Sequence, residues 1–329
     1  MVEARYWTAL EEGRVECQLC PHHCILSDGQ VGICSGRVNK EGRLFAKNYG
    51  QVVSAALDPV EKKPLYHFNP GSLILSVGPN GCNFSCPYCQ NWEISQGEVK
   101  TSFVSPEKLV ESAGRDGSIG LAYTYTEPLI WFEYVLDCSK LAKEKGLVNV
   151  LVTNGFIEEE PLRELLEYVD ALNIDLKSIR EPFYRKLCKG SLAPVLRTCK
   201  IAKKESHVEI TNLVIPGENA NMEELEELVH WVASNLGKET PLHFSRYFPN
   251  YKMTTKPTPE PVLRVAYEAG KKELFYCYLG NMHAPNGSNT HCPVCDNILV
   301  ERAGYSVSTS GIKNGKCSNC GRTADFVLG

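Results

Sequence analysis

Residues 76–92 read SVGPNGCNFSCPYCQNW, and three cysteines in this stretch, Cys82, Cys86 and Cys89, stand in the spacing C-x3-C-x2-C. Three thiolates on one short loop are one fewer than a structural zinc or an ordinary iron–sulfur cubane takes from protein. A structural site closes all four positions, whereas a reactive one keeps a position open. The plain alternative is a zinc knuckle that borrows its fourth ligand from a distant part of the chain. The loop follows SLILSV (Ser72–Val77), a short apolar run of strand type.

The chain has 329 residues, enough for one barrel-sized domain with appendages or for two ordinary domains. Its 43% hydrophobic and 22% charged content is that of a soluble globular protein. A net charge of -4 does not suggest a nucleic-acid binder. The N-terminus, MVEARYWTALEEG, lacks the apolar core of a secretory leader, and no later run approaches ~18 apolar residues. The expected location is the cytoplasm, without membrane attachment. Four of the 15 cysteines, Cys138, Cys188, Cys199 and Cys277, are scattered and read as small buried hydrophobes. The others fall into three groups whose C-x2-C pairs are metal-ligand spacings, and a disulfide framework is not expected inside a cell.

The first group lies in residues 1–70, an N-terminal cysteine-rich region. There CQLCPHHCILSDGQVGIC places Cys17, Cys20, Cys24 and Cys34 in the pattern C-x2-C-x3-C-x9-C, with His22 and His23 available as substitutes. Zinc and an auxiliary iron–sulfur cluster fit these thiolates equally well. Residues 286–329 carry the last group, Cys292, Cys295, Cys317 and Cys320. Its two C-x2-C knuckles, 21 residues apart, predict a zinc-ribbon or rubredoxin-like appendage closed around one ion, zinc by preference.

Residues 71–285 alternate strand and helix. After Ser72–Val77, strands are expected at Ile119–Tyr125, Val148–Thr153, Ala171–Leu176, Val208–Ile215, Leu242–Phe248 and Glu273–Leu279. Between two of them Ile130, Tyr134, Cys138 and Leu141 recur at helical steps over Glu127–Lys145, and Asn221 caps a helix with an acidic first turn. This is the pattern of an α/β fold with parallel strands, a βα barrel or partial TIM barrel. Catalytic groups in such barrels come from the C-terminal ends of strands. The three-cysteine loop falls there, as do Thr126-Glu127-Pro128, Thr153-Asn154-Gly155, Asp175-Leu176-Lys177, and His243 with Arg246.

The three-cysteine loop resembles that of the radical S-adenosylmethionine (SAM) enzymes, and Tyr88 supplies the aromatic residue usual before the third cysteine. The segments YTEP, VTNGF, NIDLKS and NLVIPGENAN are similar to those of the pyruvate formate-lyase activating enzyme family. The whole chain resembles the radical SAM enzyme of the AmmeMemoRadiSam system more closely. That likeness rests on CQLCPHHC…GQVGIC, GCNFSCPYCQNW, HFSRYFPNYKM and HCPVC…GYSVSTSGIKNGKCSNCG.

The resemblance implies a [4Fe-4S] cluster on Cys82, Cys86 and Cys89, with SAM contacted by Tyr88, Thr126, Glu127, Thr153, Asn154, Asp175 and Lys177. Tyr125-Thr126 replaces the two glycines of the family's Gly-Gly-Glu-Pro motif, and Val152 replaces the activases' Asp before Thr-Asn-Gly. Asn173, Thr153 and Asp175 remain as oxygen ligands for a cation there. His243, Arg246, Tyr247, Tyr251 and Lys252 are the candidates for substrate contact. The implied chemistry is reductive cleavage of SAM to a 5′-deoxyadenosyl radical that abstracts hydrogen from an unidentified substrate. A reductant such as ferredoxin or flavodoxin would supply the electron, and the implied partners are Memo-like and AMMECR-like proteins. A glycyl-radical-enzyme activase and a non-catalytic zinc-binding module are the alternatives.

Overall fold

Seven aliphatic runs form strands that lie side by side in the order in which the chain makes them, all in one direction. They are β2 (Leu73–Gly78), β3 (Ser118–Tyr123), β4 (Val148–Thr153), β5 (Ala171–Asp175), β6 (His207–Val214), β7 (Leu242–Arg246) and β8 (Cys277–Gly280). An eighth strand, β1 (Ser54–Pro59), runs antiparallel along the outer edge of β2. This computed structural model describes residues 1–115, 117–284 and 287–329. Among them the sheet is open, with β1 and β8 unpaired to one another. Strand order and direction are those expected of a partial barrel, but the closed barrel is not formed.

Among the described residues six helices of eight or more residues link the strands: α1 (Pro106–Ala113), α2 (Phe132–Glu144), α3 (Glu159–Leu166), α4 (Leu192–Glu205), α5 (Met222–Leu236) and α6 (Glu260–Glu273). Asn221 caps α5 by accepting from the Glu223 amide at 2.9 Å, a contact whose loss costs about 1 kcal/mol. The final expected strand begins later than its apolar run, because α6 continues through Glu273.

Alternation along the strands separates two cores. Leu121, Tyr123, Leu151, Leu172, Ile174, Val208, Ile210 and Phe244 face the helices. Ala122, Val150 and Ala171 face the other way, onto Val60, Leu65 and Phe68. The segment between β1 and β2 is thus folded against the inner face of the sheet. Polar side chains share that face. Asn173 donates to Pro64 O at 2.8 Å, and Glu209 accepts from the His67 amide at 2.7 Å.

The C-terminal unit is a small antiparallel sheet of Thr290–His291, Ile298–Ala303 and Ser306–Ser308 around Cys292, Leu299, Val300 and Cys317. It docks on the same inner segment: Arg302 donates to Tyr66 O at 2.6 Å, and the Val327 amide donates to His67 O at 2.9 Å. Phe326 stacks on the His67 ring at 4.2 Å. Its contact with Tyr276, just before β8, sets it at the N-terminal end of that strand. The expected boundary between residues 285 and 286 lies outside the described residues. Among those described, no helix is long and apolar enough to cross a membrane.

Candidate functional site

The three-cysteine loop leaves β2 at Gly78, where a side chain would meet Thr124 O at 2.4 Å, so the ends of β2 and β3 pack backbone to backbone. Each of its thiols leans on a neighbour. Cys82 Sγ accepts from the Phe84 amide at 3.3 Å and lies 3.8 Å from Asn154 Nδ2. Cys89 Sγ is 3.3 Å from Ser95 Oγ. Cys86 is buried beside Cys188, and the Tyr88 hydroxyl lies 3.6 Å from the Cys188 thiol. The Cys188 thiol, helped by Lys177 and Tyr88, draws the Cys86 thiol below its ordinary value against the effect of burial. Burial, aided by the nearby Glu127 carboxyl, pushes Cys82 well up. Cys188 is buried as expected, but its contacts put it at this site. No spacing in the sequence announces that, since it comes from a π-helical turn at Tyr184–Cys188.

Three of the four polar groups expected at strand ends meet around this loop. Glu127 is fully buried and accepts from Thr153 Oγ1 at 2.6 Å, the Asn154 amide at 2.8 Å and the Leu129 amide at 3.1 Å. Burial pushes its carboxyl up to about 7 despite those donors. A carboxylate offers roughly four acceptor positions, so one remains on this group. Asn154 also donates to Asn83 Oδ1 at 2.8 Å, tying the end of β4 to the loop. Thr126 Oγ1 donates to Pro79 O at 2.8 Å. Lys177 pairs with Asp175 at 3.0 Å past the end of β5. Burial opposes the charge of Lys177, but Asp175 and the Cys86 and Cys188 sulfurs hold its ammonium well above the usual value. Glu127, Asp175 and Lys177 therefore bring two carboxyl groups and a cation to neighbouring strand ends.

Tyr125, which replaces a glycine of the family motif, takes φ +73°, the left-handed region that glycine enters freely. A non-glycine residue held there costs on the order of 1–3 kcal/mol and persists only when its surroundings insist. Here Asn91 Nδ2 grips the Tyr125 carbonyl at 2.7 Å, and the Tyr125 hydroxyl donates to Asp58 at 3.0 Å.

The five substrate candidates separate. Tyr251 stacks on Trp92 at 5.0 Å, and the Lys252 amide donates to Pro87 O at 2.9 Å, so both touch the three-cysteine loop. Arg246 is held by Thr258 O and Glu260, and Tyr247 is 1% exposed. His243 faces the inner side of the sheet, 4% exposed, with its Nε2 2.6 Å from Glu209. Asn173 also engages both amide ends, with Pro64 and Thr211.

The outer cysteine groups differ from each other. In the C-terminal unit Cys292–Cys320 and Cys295–Cys317 sulfurs lie 3.6 Å apart, and all four are within 4.8 Å of one another. Four sulfurs at about 2.3 Å from a shared ion would be about 3.8 Å apart, so the donor set fits a tetrahedral ion. The N-terminal cysteines instead line a cavity, with Arg37, Asn83 and Phe156 completing its wall. His22 lines the same cavity with its Nε2 bonded to Asn83 O at 2.7 Å, whereas His23 is turned to Glu158 at 3.0 Å.

A family model described as the Radical SAM superfamily matches residues 77–232. An uncharacterized protein of Methanocaldococcus jannaschii is 45% identical over 336 aligned positions, covering 100% of both chains. The pyruvate formate-lyase 1-activating enzyme of Escherichia coli is 26% identical over 230 residues, 59% of this chain and 89% of that one. Among solved structures, a radical SAM methyltransferase from Sphaerobacter thermophilus superposes with TM-score 0.51 at 15% identity, covering 67% of this chain and 69% of that one. That likeness is one of fold.

Proposed function

We propose that this chain, which belongs to the radical SAM superfamily, cleaves SAM reductively and abstracts hydrogen from a substrate of the AmmeMemoRadiSam system. The observation that carries the reading is the convergence, at the C-terminal strand ends, of three cysteines with Glu127, Asn154 and the Asp175–Lys177 pair. Cys82, Cys86 and Cys89 would hold a [4Fe-4S] cluster, which when bound supplies the electron that breaks a sulfur–carbon bond of SAM.

The residues around it orient and shield. Asp175 and Lys177 offer both charges to the amino and carboxylate groups of SAM. Thr153 and Asn154 fix Glu127, whose remaining acceptor position and the held backbone of Tyr125-Thr126 suit an ammonium donor. Tyr88, 4% exposed, packs between the loop and Phe183 and keeps water from Cys86. Tyr251 and Lys252 are the substrate contacts this reading favours, because they meet the loop directly. The C-terminal group would take zinc as a structural ion, and the organisation is a cysteine-rich N-terminal region, a catalytic core and a zinc-bearing appendage. A ferredoxin or flavodoxin would provide the electron, and Memo-like and AMMECR-like proteins would act with the enzyme in the cytoplasm.

A second reading, an activase that installs a glycyl radical on a partner enzyme, is favoured by the alignment over 89% of the Escherichia coli activating enzyme. Anaerobic reconstitution tests the common part: a [4Fe-4S] spectrum and 5′-deoxyadenosine from SAM plus dithionite are expected. If neither forms, both readings fail. Radical transfer to a glycyl-radical enzyme, read by electron paramagnetic resonance, would select the second.

A further inference from the structure

We infer that Cys17, Cys20, Cys24 and Cys34 hold a second iron–sulfur cluster, seated directly behind the three-cysteine loop, rather than a zinc ion. The chain supplies its own standard for a zinc-type group. In the C-terminal unit the paired sulfurs are 3.6 Å apart, and among the described residues this is the group whose donor atoms gather within 4.8 Å. A single ion requires that closeness because all four sulfurs touch it at about 2.3 Å, which leaves no room for even a water between them. The N-terminal thiols stand differently. They surround a cavity that admits a water-sized sphere, walled on the other sides by Leu129, Ile130 and Phe156. A cubane puts each thiolate on a different iron, so its ligands stand apart around a body of inorganic sulfide and metal. The three-cysteine loop shares this wider arrangement.

Arg37 points to the same occupant. It lines the cavity, is 1% exposed, and gives Nη1 to Glu133 at 2.8 Å. Its Nε and Nη2 have no partner. Two buried guanidinium donors left unmatched are costly, and a neutral thiol is a weak acceptor. A cluster carrying thiolates and sulfides would give these donors anionic acceptors and set its charge beside a cation.

The cavity shares a wall with the SAM site. Asn83, which lines it, accepts from the same Asn154 amide that reaches Cys82. Gly81, at φ +101°, lets the Cys34 carbonyl approach so closely that a Cβ there would lie 2.2 Å from it. The two cysteine loops are therefore packed backbone against backbone.

The test needs no SAM cleavage, so it is separate from the reading above. The full-length C82A/C86A/C89A variant, loaded anaerobically with iron and sulfide, is expected to keep about four iron and four acid-labile sulfides per chain. Further replacement of Cys20 and Cys24 by Ala should remove them. The unaltered protein offers the same measurement should the variant fold poorly: about eight iron, eight labile sulfides and one zinc are expected. About four iron with two zinc in the unaltered protein, or a triple variant that binds two zinc without labile sulfide, would overturn the inference.

Discussion

At one end of the central sheet the C-terminal sulfurs face one another, whereas at the other end the sulfurs of the three-cysteine loop face outward to different neighbours. The C-terminal group needs nothing beyond itself, and its surroundings are a small apolar core of Leu299, Val300 and Ala324. The loop group has Asn154, Ser95 and Cys188 around it, drawn from separate elements, with its own Tyr88 set against Cys188. A closed ligand set can be carried by local chain alone. An incomplete one that is to stay reactive must be held by the whole fold, because each thiol has to be kept apart and correctly aimed.

Separate replacement at the two ends is the strongest way to break this contrast. Cys86→Ala should lower 5′-deoxyadenosine formation by at least about 10³-fold while leaving zinc content unchanged, on the expectation that the electron route depends on that ligand. Cys320→Ala should do the reverse, losing the ion and lowering the melting temperature by about 5–10 °C for a loss of ~3 kcal/mol. SAM cleavage per loaded cluster should survive. If Cys320→Ala abolishes cleavage, the two ends are not independent.

Acid should act at the C-terminal end. Burial lowers the His67 imidazole from its ordinary 6.5 to about 3, with Glu209 and the Asp325 carbonyl opposing that shift. The folded state therefore binds fewer protons than the unfolded state between those values. His67's contribution is complete above about pH 6.5 and is lost as pH falls toward 3, by on the order of 3–5 kcal/mol. Urea midpoints measured from pH 7 to pH 4 should fall less steeply in His67→Gln than in the parent. Equal slopes would remove His67 as the sensitive group.

The smallest effect is expected where the turn at Tyr251 meets the three-cysteine loop. Trp92→Ala removes a ring stack at 5.0 Å, worth about 1 kcal/mol, so substrate turnover should drop roughly five-fold. Cluster content should not change, and a variant that loses iron instead would make Trp92 a support of the loop itself.

The sequence shows most clearly what is local. Cysteine spacing marks the C-terminal four-sulfur group, and alternating apolar runs mark β2 to β7 to within a few residues, because both depend on neighbours along the chain. What escaped was set by contacts across it. His243 sits at a strand position that suits a ligand contact, yet Glu209, 34 residues earlier, takes its imidazole from the same inner face. β1 has too short an apolar pattern to separate it from a loop, and the segment after it has no period at all, although Phe68 is 1% exposed. Cys188 could not be told from an ordinary buried cysteine, since its neighbours Cys86 and Tyr88 are about 100 residues away.

The clasp between residues 67–69 and the C-terminal unit bears on how the chain reaches this state. His67 bonds to Asp325 O across 258 positions, and Asn69 to the Gly329 amide across 260. On a translating ribosome the earlier segment emerges long before its partners, with Phe68 and His67 still lacking their final cover. The sheet can assemble strand by strand, but its inner face is sealed only when residues 325–329 reach it, so docking of the C-terminal unit, rather than growth of the sheet, completes this face.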